Sequence, residues 1–402
     1  LEAFNPAHDR KADSLDGRCD IYSLGLTLWE LLTGRRPFGG ETAQASRALT
    51  LTEMTRRRNA GLPADVATQL PRDCPPALER ILRKCLAPNP DDRFATAGEL
   101  ARALDLCLQP RAQALLEPSG GWRGFARRHP LLCILPAGLI PNVAAGLFNY
   151  LYNRSEIIAV SEIHETLRPA FERIQTTINL ISFPLGILVF VSIARPVVRG
   201  LQRVRGGEKI SDVELAAIRA RTLRLGWYGS LVSLGGWLLA SIVYPIALRL
   251  AVPELAGASF QKVFGHFLAS LAICGLIAAA YPFFTATSVA IRALYPAFLR
   301  PGTATARDWD ELVRLDWLVW PFLALTAAVP LAGVALLVGF NSQNQTALVA
   351  LSVVGLLGLG VAVWLARRIQ RDLADLGGVV RPSEVGPLSG DSDSRLSASW
   401  GG

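Results

Sequence analysis

Apolar positions follow two regimes along this chain. Beyond residue 130 they gather into six runs free of Asp, Glu, Lys and Arg: 131–152, 178–194, 226–248, 267–291, 317–339 and 346–366. A helix rises about 1.5 Å per residue, so roughly 20 residues cross a bilayer. Each run is long enough to span, the second once Ile174 and its neighbours extend it to 174–194. Backbone polar groups in hydrocarbon must pair within their own segment, which makes isolated runs helices and excludes a lipid-facing barrel. The pattern predicts an all-α chain with a six-span domain over 131–370.

Before residue 131 the period is that of helices in water. Residues 21–33 are apolar almost all round the wheel and stop at Gly34 and Pro37, which predicts a helix buried on most sides. Asp20 at its start is expected as a cap that accepts amide hydrogen bonds. A second helix starts at Pro75-Pro76, places Leu78, Ile81, Leu82, Cys85 and Leu86 on one face, and ends at Pro88-Asn89-Pro90. A third opens on a capping box from Thr96 to Glu99 and carries Leu100, Ala103, Leu104 and Leu108 inward. One further helix is expected around 43–58. Residues 109–130 read as a basic linker, and 371–402, rich in Gly, Ser and Pro, as a disordered cytoplasmic tail.

Three elements lie between spans. Ile157, Val160, Ile163, Leu167, Phe171 and Ile174 recur at helical spacing opposite Glu156, Glu162, Glu165 and Glu172. They predict an amphipathic helix between the first two spans, either an external sensor or a cap on the bundle. Ser211 to Glu214 is a capping box, and Asp308 to Glu311 a similar arrangement ahead of the fifth span. Arg195-Pro196-Val197-Val198-Arg199-Gly200-Leu201 resembles the opening of a HAMP signalling linker, but it runs on into another span.

Charge sets the orientation. Of the 402 residues 41 are Lys or Arg and 33 Asp or Glu, a net charge of +8. With residues 1–130 inside, the loops and flanks on that side hold 21 Lys and Arg, and those on the other side hold 5. Retention of basic loops then puts both termini in the cytoplasm, in a multi-pass protein of the inner (cytoplasmic) membrane. The excess is accounted for by topology and anionic headgroups, not by nucleic acid. No ionisable side chain falls inside the six runs, which argues against an ion-coupled transporter. The six cysteines form no metal-ligand or disulfide pattern, so no metal site is expected.

The soluble part resembles a family. Leu15-Asp16-Gly17-Arg18-Cys19-Asp20-Ile21-Tyr22-Ser23-Leu24-Gly25, continuing from Trp29 through Phe38, resembles the central C-lobe helix of bacterial Hanks-type serine/threonine protein kinases. Cys85-Leu86-Ala87-Pro88-Asn89-Pro90-Asp91-Asp92-Arg93-Phe94, followed by Ala97-Gly98-Glu99-Leu100, resembles the last kinase segment, in the same order. The likeness covers about residues 1–108 as a partial C-lobe. It implies that Asp20 bonds to the backbone of a catalytic loop, that Gly25 permits close helix packing, and that Arg93 pairs with the glutamate of an Ala-Pro-Glu motif. These are structural positions; no catalytic, cofactor-binding or metal residue is expected in this chain.

Phosphoryl transfer needs a glycine-rich lid, a strand lysine, an Asp that orients the hydroxyl, and Asn and Asp ligands for magnesium. None is found. His8-Asp9-Arg10 has the catalytic-loop letters in the wrong order, and Lys11 and Lys84 lack a strand context. The chain therefore reads as the C-terminal fragment of a membrane-anchored kinase whose intact form uses ATP and Mg to phosphorylate protein Ser and Thr. The fragment alone is expected to be inactive, with Asp20 and Arg93 left without their family partners. Its expected partners are the lipid bilayer, the missing N-terminal kinase portion and, for the intact enzyme, protein substrates. The alternative is a non-catalytic membrane scaffold or receptor with a kinase-like remnant.

Overall fold

A computed structural model describes residues 16–38, 47–63, 68–116, 120–155, 163–299, 304–339 and 345–380. Helices make up its regular structure, and no strand occurs among these residues. His8-Asp9-Arg10, Lys11, Ile157, Val160 and the tail beyond residue 380 lie outside them. The chain divides into two compact units, Leu1–Gln113 and Ala114–Gly402.

The first unit is built on α1 (Arg18–Thr33), which packs against α3 (Pro76–Cys85) and α4 (Ala97–Cys107). The helix α2 (Arg47–Asn59) lies between them in sequence. α1 ends where Gly34 adopts φ 68° and donates its N–H to Glu30 O, a left-handed cap that suits glycine. Contrary to expectation, α1 is not buried on most sides. Ile21, Gly25 and Trp29, one residue every four, form its buried stripe, while Leu24 and Leu31 are exposed. Tyr22, Leu26 and Leu28 flank that stripe, part-buried against the Trp29 core.

Two cores result. Ile21, Ile81, Cys85, Phe94 and Leu100 form one, and Trp29, Leu82 and Leu86 the other. The predicted face of α3 and the start of α4 are both present. Thr96 Oγ1 accepts from Glu99 N–H at 3.2 Å, while the Glu99 carboxylate accepts from Ala95 N–H at 3.0 Å.

The second unit holds six helices long and apolar enough to cross a membrane among the described residues. They are α7 (Pro130–Asn153), α8 (His164–Arg205), α10 (Leu225–Ala251), α11 (Gly257–Val289), α12 (Ala306–Gly339) and α13 (Gln345–Val380). Between α8 and α10 lies α9 (Asp212–Leu223), opened by Ser211 Oγ accepting from Glu214 N–H. α11 is the central member: 61% of its most apolar window is buried, against 11–33% for the other five. It packs on α7, α10, α12 and α13 and continues through a π-helical turn at Ala290–Leu294 and a 3-10 turn at Tyr295–Phe298. The outer helices expose Leu, Ile, Val and Trp side chains such as Leu180, Leu239, Trp320 and Leu357, as a lipid-facing surface requires.

Several expected boundaries move. The amphipathic stretch after the first span is not a separate helix: from His164 on it belongs to α8, which runs 42 residues through the HAMP-like segment without a break. Elongating a helix adds a backbone bond per residue, so a polar extension joins an apolar span at little cost. The linker region carries α5 (Pro110–Leu116) and α6 (Trp122–Arg128), and Arg127 donates to the π-turn carbonyl of Ala293 at 2.7 Å. α13 takes in Arg371–Val380, which the sequence placed in the disordered tail. The box ahead of the fifth span is shifted to Thr305, whose N–H and hydroxyl both bond Asp308 Oδ2 at 2.9 Å.

The helical extensions also bring charge into the bundle. Arg219 on α9 and Asp308 on α12 are 0% and 3% exposed and meet in a two-pronged pair at 2.7 Å. Arg224 pairs with Glu311, and Arg292 with Asp372 at 3.2 Å. The sequence assigned these arginines to topology and headgroups; folding instead uses them to tie α9, α12, α13 and the π turn together.

Candidate functional site

The residues singled out in the first unit converge on the junction of α1, α3 and the turn after α3. Gly25 sits where α1 touches the end of α3. A Cβ built there would lie 2.7 Å from Cys85 Cβ and 3.2 Å from Leu86 Cδ2, closer than carbon atoms approach. Gly25 is therefore the contact that lets the two backbones approach. Gly25→Ala is expected to destabilise this unit by about 1–3 kcal/mol through overpacking. Because the clash is with a β-carbon, Cys85→Ala should not relieve it and Cys85→Gly should; hydrogen exchange of the α1 and α3 amides in the three variants reads the difference.

Arg93 is not left without partners. It is 5% exposed and donates to three backbone carbonyls: Ala87 O at 2.8 Å, Pro88 O at 3.1 Å and Arg18 O at 3.1 Å. Its guanidinium also lies 4.5 Å from the Tyr22 ring centroid. The side chain thus joins the start of α1 to the segment leaving α3. The reason is local. Pro88 and Pro90 keep that segment from continuing α3, and a fork of five N–H donors reaches carbonyls that point in different directions.

Asp20 lies in the first turn of α1 but does not cap it. The helix has Gly17 at its N-cap with no side-chain bond, and Asp16 Oδ1 accepts from Arg18 N–H at 3.0 Å instead. The Asp20 side chain is exposed and makes no hydrogen bond among the described residues. The sequence reading did not single out Arg18, which bonds Asp16 and reaches Asp91 on the 3-10 turn Pro90–Asp92 at 2.6 Å. These two carboxylates hold the Arg18 guanidinium pKa above its ordinary value. Three charged residues at i, i+2 and a distant turn leave no periodic trace.

Cys85 is buried in the core, and that burial pushes its thiol from 9.0 up to about 11, against smaller opposing effects of Lys84 and Arg93. A thiol with a raised folded pKa contributes stability that is complete below the unfolded value and is lost as pH rises through the folded one. The unfolding midpoint of this unit should accordingly fall between pH 9 and 11. At pH 8 Cys85 should be the last of Cys19, Cys85 and Cys107 to react with maleimide, and early labelling by peptide mapping would contradict its burial.

Among the described residues no three His, Cys, Asp or Glu side chains come together as a metal site. The junction of α1, α3 and the 3-10 turn is held by the Gly25 contact and by the bonds of Arg93 and Arg18.

The family model for the protein kinase domain matches residues 10–103. These residues are a kinase-related region. Serine/threonine-protein kinase PknB of Mycolicibacterium smegmatis is 36% identical to it over 93 residues, which are 22% of this chain and 13% of that protein. PknB of Mycobacterium leprae is 33% identical over 93 residues, with the same coverage. Serine/threonine-protein kinase PknD of Mycobacterium tuberculosis is 37% identical over 92 residues, 23% of this chain and 12% of that protein. The chain thus spans about an eighth of the length of these curated relatives. No solved structure matches it. The kinase-related region contains Asp20, Gly25 and Arg93 and ends within α4.

Proposed function

We propose that this chain is the C-terminal part of a membrane-anchored serine/threonine protein kinase. In this reading the kinase-related region supplies supporting helices of the C-lobe, and the lid, lysine, catalytic loop and magnesium ligands come from sequence that precedes them. The observation that carries it is the 36% identity to serine/threonine kinases over the same stretch that Gly25 and Arg93 knit together. Asp20, exposed and unbonded at the head of α1, is free to accept from a catalytic-loop backbone. The exposed Leu24 and Leu31 on the same helix supply apolar area for the rest of the lobe. The intact protein would transfer the γ-phosphate of ATP, with Mg, to Ser and Thr of protein substrates.

The six helices would anchor that domain. The basic excess on one side of the bundle supports cytoplasmic termini and an inner-membrane location. The test compares two membrane preparations supplied with labelled ATP and Mg: this chain, and the product of the reading frame extended upstream. Phosphoserine or phosphothreonine should form only in the second. Transfer by this chain alone would overturn the supporting role given to it. An upstream frame without lid, lysine and catalytic-loop elements would replace this reading by that of a non-catalytic scaffold.

A further inference from the structure

We propose that a cavity between α7, α8 and α10 binds an uncharged membrane-dissolved amphiphile, a hydrocarbon chain bearing a hydroxyl or ester group, taken up sideways from the bilayer. The inference rests on the membrane-spanning part of the reading above and on none of its kinase part. The cavity measures about 150 Å³ and opens on one side. An apolar void of this size in a protein core admits a benzene ring, so a short run of methylenes fits while the rest of a chain stays in lipid.

The lining decides the chemistry. It contains no Asp, Glu, Lys, Arg or His, so an anionic headgroup or an amine would enter without a counter-charge. It does contain polar groups, and on α8 they are at one end. Along α8 the lining runs Gln175, Asn179 and Ser182, then Phe183, Gly186, Ile187 and Phe190 towards Arg205. A polar end followed by an apolar one is the profile of an amphiphile.

The polar groups also differ in what they lack. Asn142 is satisfied: its amide donates to Gly138 O at 2.9 Å and Ser233 Oγ at 2.8 Å, and its oxygen accepts from Trp237 Nε1 at 3.0 Å. Gln175 accepts from the Tyr244 hydroxyl. The half-buried Asn179 amide and the Ser182 hydroxyl have no hydrogen-bond partner among the described residues. In hydrocarbon such groups have no water to turn to, and a partner dissolved in the lipid is the remaining source. Space is left for it. A Cβ on Gly138, Gly186 or Gly236, one from each of the three helices, would meet nothing within 4 Å.

The full chain in phosphatidylcholine nanodiscs, incubated with a monoacylglycerol carrying a diazirine in its chain, tests this. Irradiation should label α8 and α10 peptides, unlabelled monoacylglycerol should compete, and a fatty acid with the same diazirine should label far less. Gly236→Leu and Gly186→Leu fill the space from different helices, and each should remove most labelling. Asn179→Leu should weaken binding about tenfold, the scale of one lost hydrogen bond, without shifting the thermal midpoint. Labelling that does not saturate, that survives both filling variants, or that is equal for the carboxylate probe would overturn the proposal. A chain that fails to enter nanodiscs would refute the membrane reading itself, a different failure from a chain that enters and does not label.

Discussion

Asp308→Ala should destabilise the second unit by about 3–5 kcal/mol, the loss that follows when one member of a buried ion pair is removed. Arg219 is fully buried on α9, and its guanidinium faces both oxygens of Asp308 at 2.7 Å. Without that carboxylate the charge stays in the bundle uncompensated. Thr305, whose N–H and hydroxyl both bond Asp308, loses its acceptor at the start of α12 at the same time. Asp308→Asn retains an acceptor for Thr305 but not the charge, so it should fall between wild type and alanine. Arg219→Met combined with Asp308→Leu should recover most of the loss, because a desolvated pair contributes little net once apolar groups of similar volume replace both members. Chemical unfolding of the detergent-solubilised chain, followed by tryptophan fluorescence, gives all four values. An Asp308→Ala change below about 1 kcal/mol, ordinary for a surface substitution, would mean that the pair is solvated and does not bind α9 to α12.

That pair also marks what the sequence made legible and what it hid. The six spans stand out because hydrocarbon excludes charge for a fixed length, a constraint written residue by residue. Helix ends carry no such mark. α8 begins at His164 and α12 at Ala306, well outside their uncharged runs, since Glu and Arg are good helix formers and extend a span without breaking its ladder. Charges beside the apolar helices can turn inward, as Arg219 on α9 and Arg292 in the π turn do, and a count of basic residues by loop does not separate them from arginines facing headgroups. The uncharged polar contacts inside the bundle were equally hidden. Asn149 donates to Ser270 Oγ, Ser270 donates to Asn153 Oδ1, and Tyr152 meets His266, across 114–121 residues of sequence.

In the kinase-related region close packing at Gly25 was implied by the resemblance alone, and the fold supplies the approaching atom, Cys85 Cβ. The apolar wheel of α1 promised burial all round and delivered one stripe, because periodicity reports what a helix could bury and not which neighbours pack on it. The sequence pointed to Asp20 as the cap of α1; the turn into the helix at Gly17 instead puts Asp16 within reach of the Arg18 amide and leaves Asp20 exposed.

Arg93→Ala should destabilise the first unit by about 1–3 kcal/mol, since it removes a buried side chain together with its bonds to three part-buried carbonyls. The three acceptors belong to separate places in the fold: Ala87 and Pro88 follow α3, and Arg18 opens α1. Loss of the fork should therefore loosen the start of α1 relative to α3 and not merely unravel a turn. Arg93→Lys keeps the charge, but a single ammonium on a flexible stem replaces neither the planar fork nor its stacking on Tyr22, so it should recover less than half of the loss. Hydrogen exchange of the full chain resolves the effect by segment. In Arg93→Ala the first amides of α1 and those near Ala87 should exchange faster together, while α9 to α12 stay unchanged. If α1 kept its protection, the arginine would be a surface staple, and the α1–α3 angle that the kinase reading depends on would have to be held by Gly25 packing alone.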